Sequence, residues 1–379
     1  MDTDADHHAA RKIITPLRVD CFHFRGDIPC DPHKRSGLSC TCHEFADVKR
    51  RGVIFKLGAA GDVLRTTPLL RALDPVATGT KILWVTHHPE LLPPEVCQPV
   101  KPDASTFARL TATEWDFCWN LDKDVDACAL AFHVRCKERA GYSISGDLPR
   151  PVDERAWHKF ATGIDNLYSK SNPMSYIREI FDIVGIPYRG EEYWLREPGA
   201  KSRNAAEHLL PGRGWIGLNT GAGGRWPTRI WSEAHWLRLI RLIQERGLRP
   251  VILGGPEEED LNNRLTAASG ALWAGVQSLE VFYAMLHRCN CLVTSVTQAM
   301  HLAIAAKTPL VLFNNIFNPN EFELYGRGEI VGPPVLCDCY YDAVCRSGRN
   351  CIDEITPEKT MTMILKTLNQ CGNSDLIPK

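Results

Sequence analysis

Gly221, Gly223 and Gly224 follow the apolar run Trp215–Asn219, and Arg225 and Arg229 follow the glycines. Glycine lets backbone amides approach an anion closely, and a guanidinium forks onto phosphate oxygens. This turn therefore suits a nucleotide diphosphate. A second anion-binding turn is legible at Thr297–His301, where Thr297 is placed to cap the helix that carries His301 on its first turn. Two helix N-termini and an arginine converging on one diphosphate would stabilise it as a leaving group. Asp62 stands at the mouth of another strand–helix turn. It either does chemistry there or caps a helix beginning at Val63. For His301, a satisfied core imidazole is as good a reading as a functional one.

Cysteine supplies the other reactive groups. Seven of the fifteen are scattered (Cys97, Cys118, Cys128, Cys136, Cys289, Cys291, Cys371) and read as small buried hydrophobes or free thiols. Cys21, Cys30, Cys40 and Cys42, with His23, His33 and His43 among them, occupy a segment without helical or strand period. Tetrahedral zinc could knit such a segment together. Cys337, Cys339, Cys345 and Cys351 form a tighter group that suits zinc or iron in a sulfur site. In a cytosolic chain such groups favour metal over disulfides. Both read as structural, because neither lies next to the phosphate turns in the sequence.

The elements that must hold these residues alternate. Trp236, Leu237, Leu239, Ile240 and Ile243 recur at helical spacing between the N-cap Ser232 and the stop Gly247. With Trp215–Asn219 before and Val251–Leu253 after, they make a right-handed βαβ unit in a parallel sheet. The same alternation opens at Gly52–Gly58, where Val63, Leu64, Leu69, Leu70 and Leu73 predict a helix broken near Pro75. Strands are expected over 81–86 and 116–122, and mixed helix and loop over 124–139. Residues 149–214 read mainly as insertion and linker, with a helix at Ser175–Val184 and a domain boundary near Glu197–Gly212. Beyond residue 256, helices at 257–268, 279–288 and 298–306 alternate with strands at 271–276, 291–295 and 309–313. The fold class is α/β, two Rossmann-like domains in tandem.

Composition excludes several functions. The net charge is −1, with 44 basic and 45 acidic side chains, so no basic excess points to nucleic acid. No apolar run reaches the roughly 18–20 residues of a membrane span. Residues 1–12 lack the apolar stretch of a signal peptide, and the expected location is cytoplasmic. A G-x-G-x-x-G fingerprint and a G-x-x-x-x-G-K-S/T loop are both absent, which argues against a nicotinamide dehydrogenase and a P-loop nucleotidase.

Four stretches together carry a family resemblance: KLGAAGDVLRTTPLLRAL at 56–73, GLNTGAGGRWPTRIWSEAHW at 217–236, LGGPEE at 253–258 and MHLAIAAKTPLVLF at 300–313. In this order the chain resembles glycosyltransferase family 9, the ADP-heptose heptosyltransferases of lipopolysaccharide assembly. The resemblance implies a GT-B fold: a cysteine-rich extension (1–50), an acceptor domain (51–200), a donor domain (201–335) and a cysteine-rich tail (336–379) returning to the first domain. It implies Asp62 as general base toward the acceptor hydroxyl and Arg229 as partner of the donor phosphates. Thr220, Gly221, Gly223, Gly224 and Arg225 would form the first donor turn, and Thr297, Gln298 and His301 the second. Glu258 falls at the ribose position and Gln277 at the adenine position. The implied reaction is an inverting displacement without a divalent metal. Its donor would be ADP-heptose or a related nucleotide sugar, and its acceptor a lipopolysaccharide-type glycan or a protein. A lipid-linked acceptor would bring the protein to the inner membrane surface. Some relatives that modify bacterial surface proteins carry a four-cysteine iron site in the tail region. One departure stands out: the family's acid–Thr/Ser–Gly before the His301 helix reads Val296-Thr297-Gln298 here. A GT-B sugar-nucleotide epimerase or hydrolase, or a non-catalytic metal-stabilised scaffold, are the competing readings.

Overall fold

Apolar runs bounded by glycine and proline become parallel strands, and the amphipathic stretches between them cover both faces. The computed structural model describes residues 17–224, 226–335, 339–346 and 348–376. Six strands form a first sheet: β1 (Arg50–Phe55), β2 (Thr80–Val85), β3 (Gln98–Val100), β4 (Trp115–Asn120), β5 (Cys136–Ser145) and β6 (Leu148–Pro151), in the order β3-β2-β1-β4-β5-β6. Among the described residues of this sheet, β5–β6 is the antiparallel pairing and the others are parallel. A second sheet repeats the plan with β7 (Trp215–Asn219), β8 (Arg249–Leu253), β9 (Leu272–Trp273), β10 (Cys289–Ser295), β11 (Leu310–Phe313) and β12 (Gly328–Val331), in the order β12-β11-β10-β7-β8-β9. In both sheets the strand order reverses beside the first strand, between β1 and β4 and between β7 and β10. Ligands of open parallel sheets bind at that switch point, outside the carboxyl ends of the strands. Each sheet of this GT-B fold thus presents one such crevice.

Five helices matter for the site and for the tail: α1 (Ala60–Leu64), α2 (Tyr176–Val184), α3 (Glu233–Glu245), α4 (Gln298–Ala305) and α5 (Pro357–Gln370). One apolar cluster runs from Ile54 and Trp84 of the first sheet, through Ile180, Tyr193 and Leu195, to Met285 and Met300 of the second. The two halves therefore share a core across their junction.

Three expectations change. Residues 125–132 form a helix within the 124–139 stretch read as mixed helix and loop, but its end, 136–139, opens a strand that runs to 145. Lys137, Glu138 and Arg139 mask its pattern, yet Lys137 pairs sideways with Asp116 at 2.8 Å and Arg139 donates to the carbonyls of Ala131 and Val134. The region 149–214 is not mainly linker. It holds helices at Trp157–Ala161, Asn166–Ser171 and Ala200–Leu209 besides α2. Most of these are too short to establish a period of 3.6, whereas α2, capped by Ser175 and stopped by Gly185 (φ 70°), was legible. The tail divides: its helix α5 packs on α3 and on β10, β11 and β12, whereas the stretch before it reaches back to the first domain. Met361, Ile364 and Leu368 complete an apolar cluster with Trp236, Leu239 and Ile243. Contact back to the first domain comes from Asn318, whose Nδ2 donates to the Ser169 and Asn172 carbonyls at 2.8 Å each, and from Tyr340, whose hydroxyl lies 2.9 Å from Ser169 Oγ.

Candidate active site

The second sheet's crevice opens where β7 and β10 end. After Asn219 the chain turns through Thr220–Gly224, with Gly223 at φ 72° in the left-handed region that glycine favours. Gly221 answers a steric need: a Cβ there would sit 2.4 Å from Glu258 Oε1. Glu258 cannot easily retreat, because its Oε2 accepts the Gly255 amide at 2.8 Å. A cavity of about 740 Å³ lies over this turn, lined by Gly221, Gly223, Arg229, Glu258, Gln277, Thr297 and Gln298 among others. That volume lies within the range of sites that enclose a cofactor-sized ligand.

Other expected donor residues lie elsewhere. Thr220 is buried and anchors the turn, donating to Asn262 Oδ1 at 2.6 Å. Gly224 lies toward Glu257, outside the cavity lining. Arg225 lies outside the described residues. Gln277 lines the wall with its Nε2 donating to the Ala274 carbonyl at 2.5 Å.

Only one of the two expected helix N-termini faces the cavity. Thr297, Gln298 and Ala299 at the start of α4 line it. The start of α3 is occupied instead: the Ser232 amide donates to Asp353 Oδ1 at 2.8 Å, and the Ser232 hydroxyl lies 2.6 Å from His235 Nδ1. Nor does the Thr297 hydroxyl cap α4; it lies 3.2 Å from Thr294 Oγ1 and accepts from Asn219 Nδ2 at 3.4 Å. The anion-binding capacity of this end therefore rests on backbone amides and dipole.

Arg229 is 7% exposed and ties the two turns together. Its guanidinium donates to the Ala222 carbonyl at 2.6 Å and to the Val296 carbonyl, and its own carbonyl accepts from Ser295 Oγ at 2.9 Å. It is at once a brace between the glycine turn and the α4 turn and a positive charge in the cavity wall.

Asp62 lies on the other side, where α1 meets α4. It is not the N-cap of its helix, since α1 begins at Ala60 with Ala59 in the cap position. Its side chain remains 35% exposed, and its Oδ1 accepts from Arg65 at 2.6 Å. Burial opposes its charge, but the cations Arg65 and Lys56 outweigh that and hold its carboxyl well below the usual range. Asp62 is thus a carboxylate at any physiological pH. Gly61 allows the close approach of the two halves, because a Cβ there would fall 2.6 Å from His301 Cδ2. His301 Nδ1 lies 3.1 Å from the Tyr193 hydroxyl, and the rings stack with 18° between planes. Burial first, and the Arg65 charge second, push the His301 imidazole down to about 3, with Asp62 opposing. His301 is therefore neutral in the folded protein.

Several residues of this centre were not singled out from sequence. Asp122, just past β4, accepts the Leu57 and Gly58 amides at 2.9 and 2.8 Å and pairs with Lys56 Nζ at 3.1 Å. It fixes the loop leading to Asp62. Lys56 is 4% exposed; burial works against its charge, but Tyr176, Asp62 and Asp122 keep it protonated. Arg65 lies over the Tyr176 ring at 3.4 Å and 3.8 Å from Glu321, whose other oxygen accepts from Tyr341. An acid beyond the carboxyl end of the strand beside β1 was the signal available for Asp122. Tyr193, Glu321 and Tyr341 left none, because they reach the site from distant parts of the chain.

Cys21, Cys30, Cys40 and Cys42, with His23 and His33, line one hollow of about 320 Å³. Their donor set is chemically right for zinc or iron. Among the described residues, however, no three Cys, His, Asp or Glu side chains are disposed as ligands of one ion. Cys337 lies outside the described residues. Cys339 Sγ accepts the Arg346 amide at 3.2 Å, Cys345 Sγ donates to the Arg349 carbonyl at 2.5 Å, and Cys351 Sγ accepts from Asn315 Nδ2 at 3.4 Å. Cys351 of this second group lies near Thr228, the residue before Arg229, despite its distance in sequence. Asn315 Nδ2 also donates to the Thr228 carbonyl, and Thr228 Oγ1 donates to the Asp342 carbonyl at 3.4 Å.

Among known proteins, the family model of glycosyltransferase family 9 (heptosyltransferase) matches residues 104–330. The chain is 22% identical over 315 residues to lipopolysaccharide heptosyltransferase 1 of Escherichia coli, a match covering 74% of this chain and 92% of that one. The solved glycosyl transferase family 9 structure from Veillonella parvula matches with a TM-score of 0.65 at 16% identity, covering 85% of this chain and 98% of that one. The E. coli heptosyltransferase WaaC with ADP matches with a TM-score of 0.59 at 18% identity, covering 84% and 98%.

Proposed function

The chain belongs to glycosyltransferase family 9, and from that premise we propose an inverting transfer of heptose, or a related sugar, from an ADP-sugar to an acceptor hydroxyl. One observation carries the reading: an ionised Asp62 stands beside the helix whose N-terminus rims the glycine-turn cavity. In this reading the cavity takes the nucleotide diphosphate, as the relative solved with ADP suggests by analogy. Glu258 faces the ribose and Gln277 the base.

In the reaction, Asp62 accepts the proton of the acceptor hydroxyl as that oxygen attacks the anomeric carbon. The bond from that carbon to the diphosphate oxygen breaks on the opposite face, which inverts the configuration. Negative charge gathers on the leaving diphosphate, where the amides at the start of α4 and the Arg229 charge stabilise it. A carboxylate held so firmly ionised is a weak base. It gains strength as the sugar and acceptor displace water, and the attacking hydroxyl grows more acidic as its oxygen bonds to the anomeric carbon. These groups balance the charge without a divalent cation in the step.

The acceptor in this proposal is a lipopolysaccharide-type glycan or a protein, and a lipid-linked acceptor would place the reaction at the cytoplasmic surface of the inner membrane. Among the described residues no helix is long and apolar enough to cross a membrane. Cys21, Cys30, Cys40 and Cys42 on one side, and Cys337, Cys339, Cys345 and Cys351 on the other, would hold structural zinc or iron. The shared hollow of the first group supports this. Elemental analysis of purified protein should find one or two such ions per chain, and a folded metal-free sample removes that part of the reading.

The test is a panel of labelled nucleotide sugars with and without acceptor. Acceptor-dependent release of ADP, lost in Asp62→Asn while ADP still binds, is the expected result. Hydrolysis without acceptor would make the protein a sugar-nucleotide hydrolase, and unchanged transfer by Asp62→Asn would remove Asp62 as the base.

A further inference from the structure

At the opposite end of the first sheet from Asp62, cations gather without an ion-paired carboxylate among the described residues. Arg51 and Lys81 are paired in register at the starts of β1 and β2, so their side chains leave the same face. Arg109 joins them from the helix before β4, and Arg25 approaches from the N-terminal extension. A cavity of about 760 Å³ lies between that extension and the edge of the sheet, lined by Arg25, Lys81 and Arg109. A smaller hollow of about 180 Å³ adjoins it, where Arg51 meets the same Lys81 and Arg109.

Among the described residues, no carboxylate comes within ion-pairing distance of any of these four cations. Lys81 Nζ donates to the Phe24 carbonyl at 3.1 Å, and Arg109 donates to Gln98 Oε1 at 2.7 Å. Of the acids that share the cavity wall, Asp31 pairs with Lys34 and Glu95 makes no ion pair with any of the four cations, while Glu44 takes the other lining cation, Arg35. Burial, then the charges of Arg109 and Arg51, push the Lys81 ammonium down, as expected of a cation cluster that lacks its anion. In a chain of net charge −1 such a concentration is local design and not a general basic surface.

We propose that this seam binds a phosphate-bearing anion, separately from the nucleotide cavity. Planar guanidinium forks from two directions around one ammonium match the several oxygens of a phosphomonoester better than a single carboxylate. The cavity has room for the sugar that carries it. The site exists only while the extension lies against β2, since Arg25 and the Phe24 carbonyl belong to the extension. A strand of six residues spans roughly 20 Å, so the site is distant from Asp62 and supplies anchoring or regulation instead of chemistry. The phosphate belongs either to a free sugar phosphate or to a phosphorylated glycan.

Calorimetric titration of the whole chain with inorganic phosphate and with glucose 6-phosphate at low salt tests this. Saturable binding is expected at a site that ADP does not compete for, weakening steadily as salt rises. Lys81→Met combined with Arg109→Gln should weaken it about tenfold or more. Arg25→Gln, an exposed position that leaves the sheet intact, should weaken it as well, and ADP affinity should not change in either variant. Tighter binding of a phosphorylated oligosaccharide than of glucose 6-phosphate assigns the phosphate to a glycan, and equal binding assigns it to a free metabolite. No saturable binding, displacement by ADP, or indifference to these variants overturns the proposal.

Discussion

Replacing His301 by glutamine should remove an acid-sensitive weakness from the fold. The imidazole is 7% exposed, lies 3.1 Å from the Tyr193 hydroxyl and shares its surroundings with the Arg65 guanidinium. In the unfolded chain it takes up a proton near pH 6.5, whereas burial and Arg65 hold it neutral in the folded protein down to about 3. Between those values the unfolded state binds the extra proton, so stability falls as pH falls, by about 1.4 kcal/mol per pH unit well inside the window. Lowering the pH from about 7 to about 5 should therefore cost about 2 kcal/mol through this one group. Asp62 stays ionised over that range in both states and contributes nothing to the slope. His287, also pushed down by burial, is common to both proteins and cancels. Glutamine cannot titrate, yet it keeps an amide for Tyr193. Urea unfolding followed by tryptophan fluorescence at the two pH values, for both proteins, is the assay. The wild type should lose about 2 kcal/mol more than the variant. Parallel losses would refute the neutral, buried imidazole.

Arg65→Met should raise the Asp62 pKa, so the acid limb of the pH–rate profile should move to higher pH; an unmoved limb would mean that Asp62 is not the titrating base. Arg229→Ala should weaken ADP about tenfold to a hundredfold while sparing adenosine, because a charged hydrogen-bonding group is lost from the cavity wall. Equal losses for both ligands would argue against a phosphate contact. Gly221→Ala brings a Cβ against the Glu258 carboxylate and should reduce ADP binding; adding Glu258→Ala should then recover thermal stability, and failure to do so would show that the turn is limited by something else.

Much of the architecture is written locally. The apolar runs that became β1, β7 and β10 needed only residues adjacent in the chain, and so did the helical period of α3 and the cap and stop of α2. The strand β5 hid because its charged start spends those charges on neighbouring elements. The first extension's cysteines and two of its histidines do share one hollow, yet among the described residues no three such side chains are disposed as ligands of one ion.

The candidate site divides along the same line. Sequence by itself determined which turns could meet a phosphate and which acid could meet a hydroxyl, since glycine spacing and a strand-end carboxylate are local facts. Tertiary structure alone decided their states. It occupied the start of α3 with Asp353, more than a hundred residues away, and turned Arg229 into a brace between two turns. It also brought Tyr193 to His301 and linked Cys351 to Thr228 through Asn315. The physical reason is that ionisation and hydrogen bonding depend on which distant groups share a buried volume. Contacts between residues so far apart in the chain leave no period in the sequence.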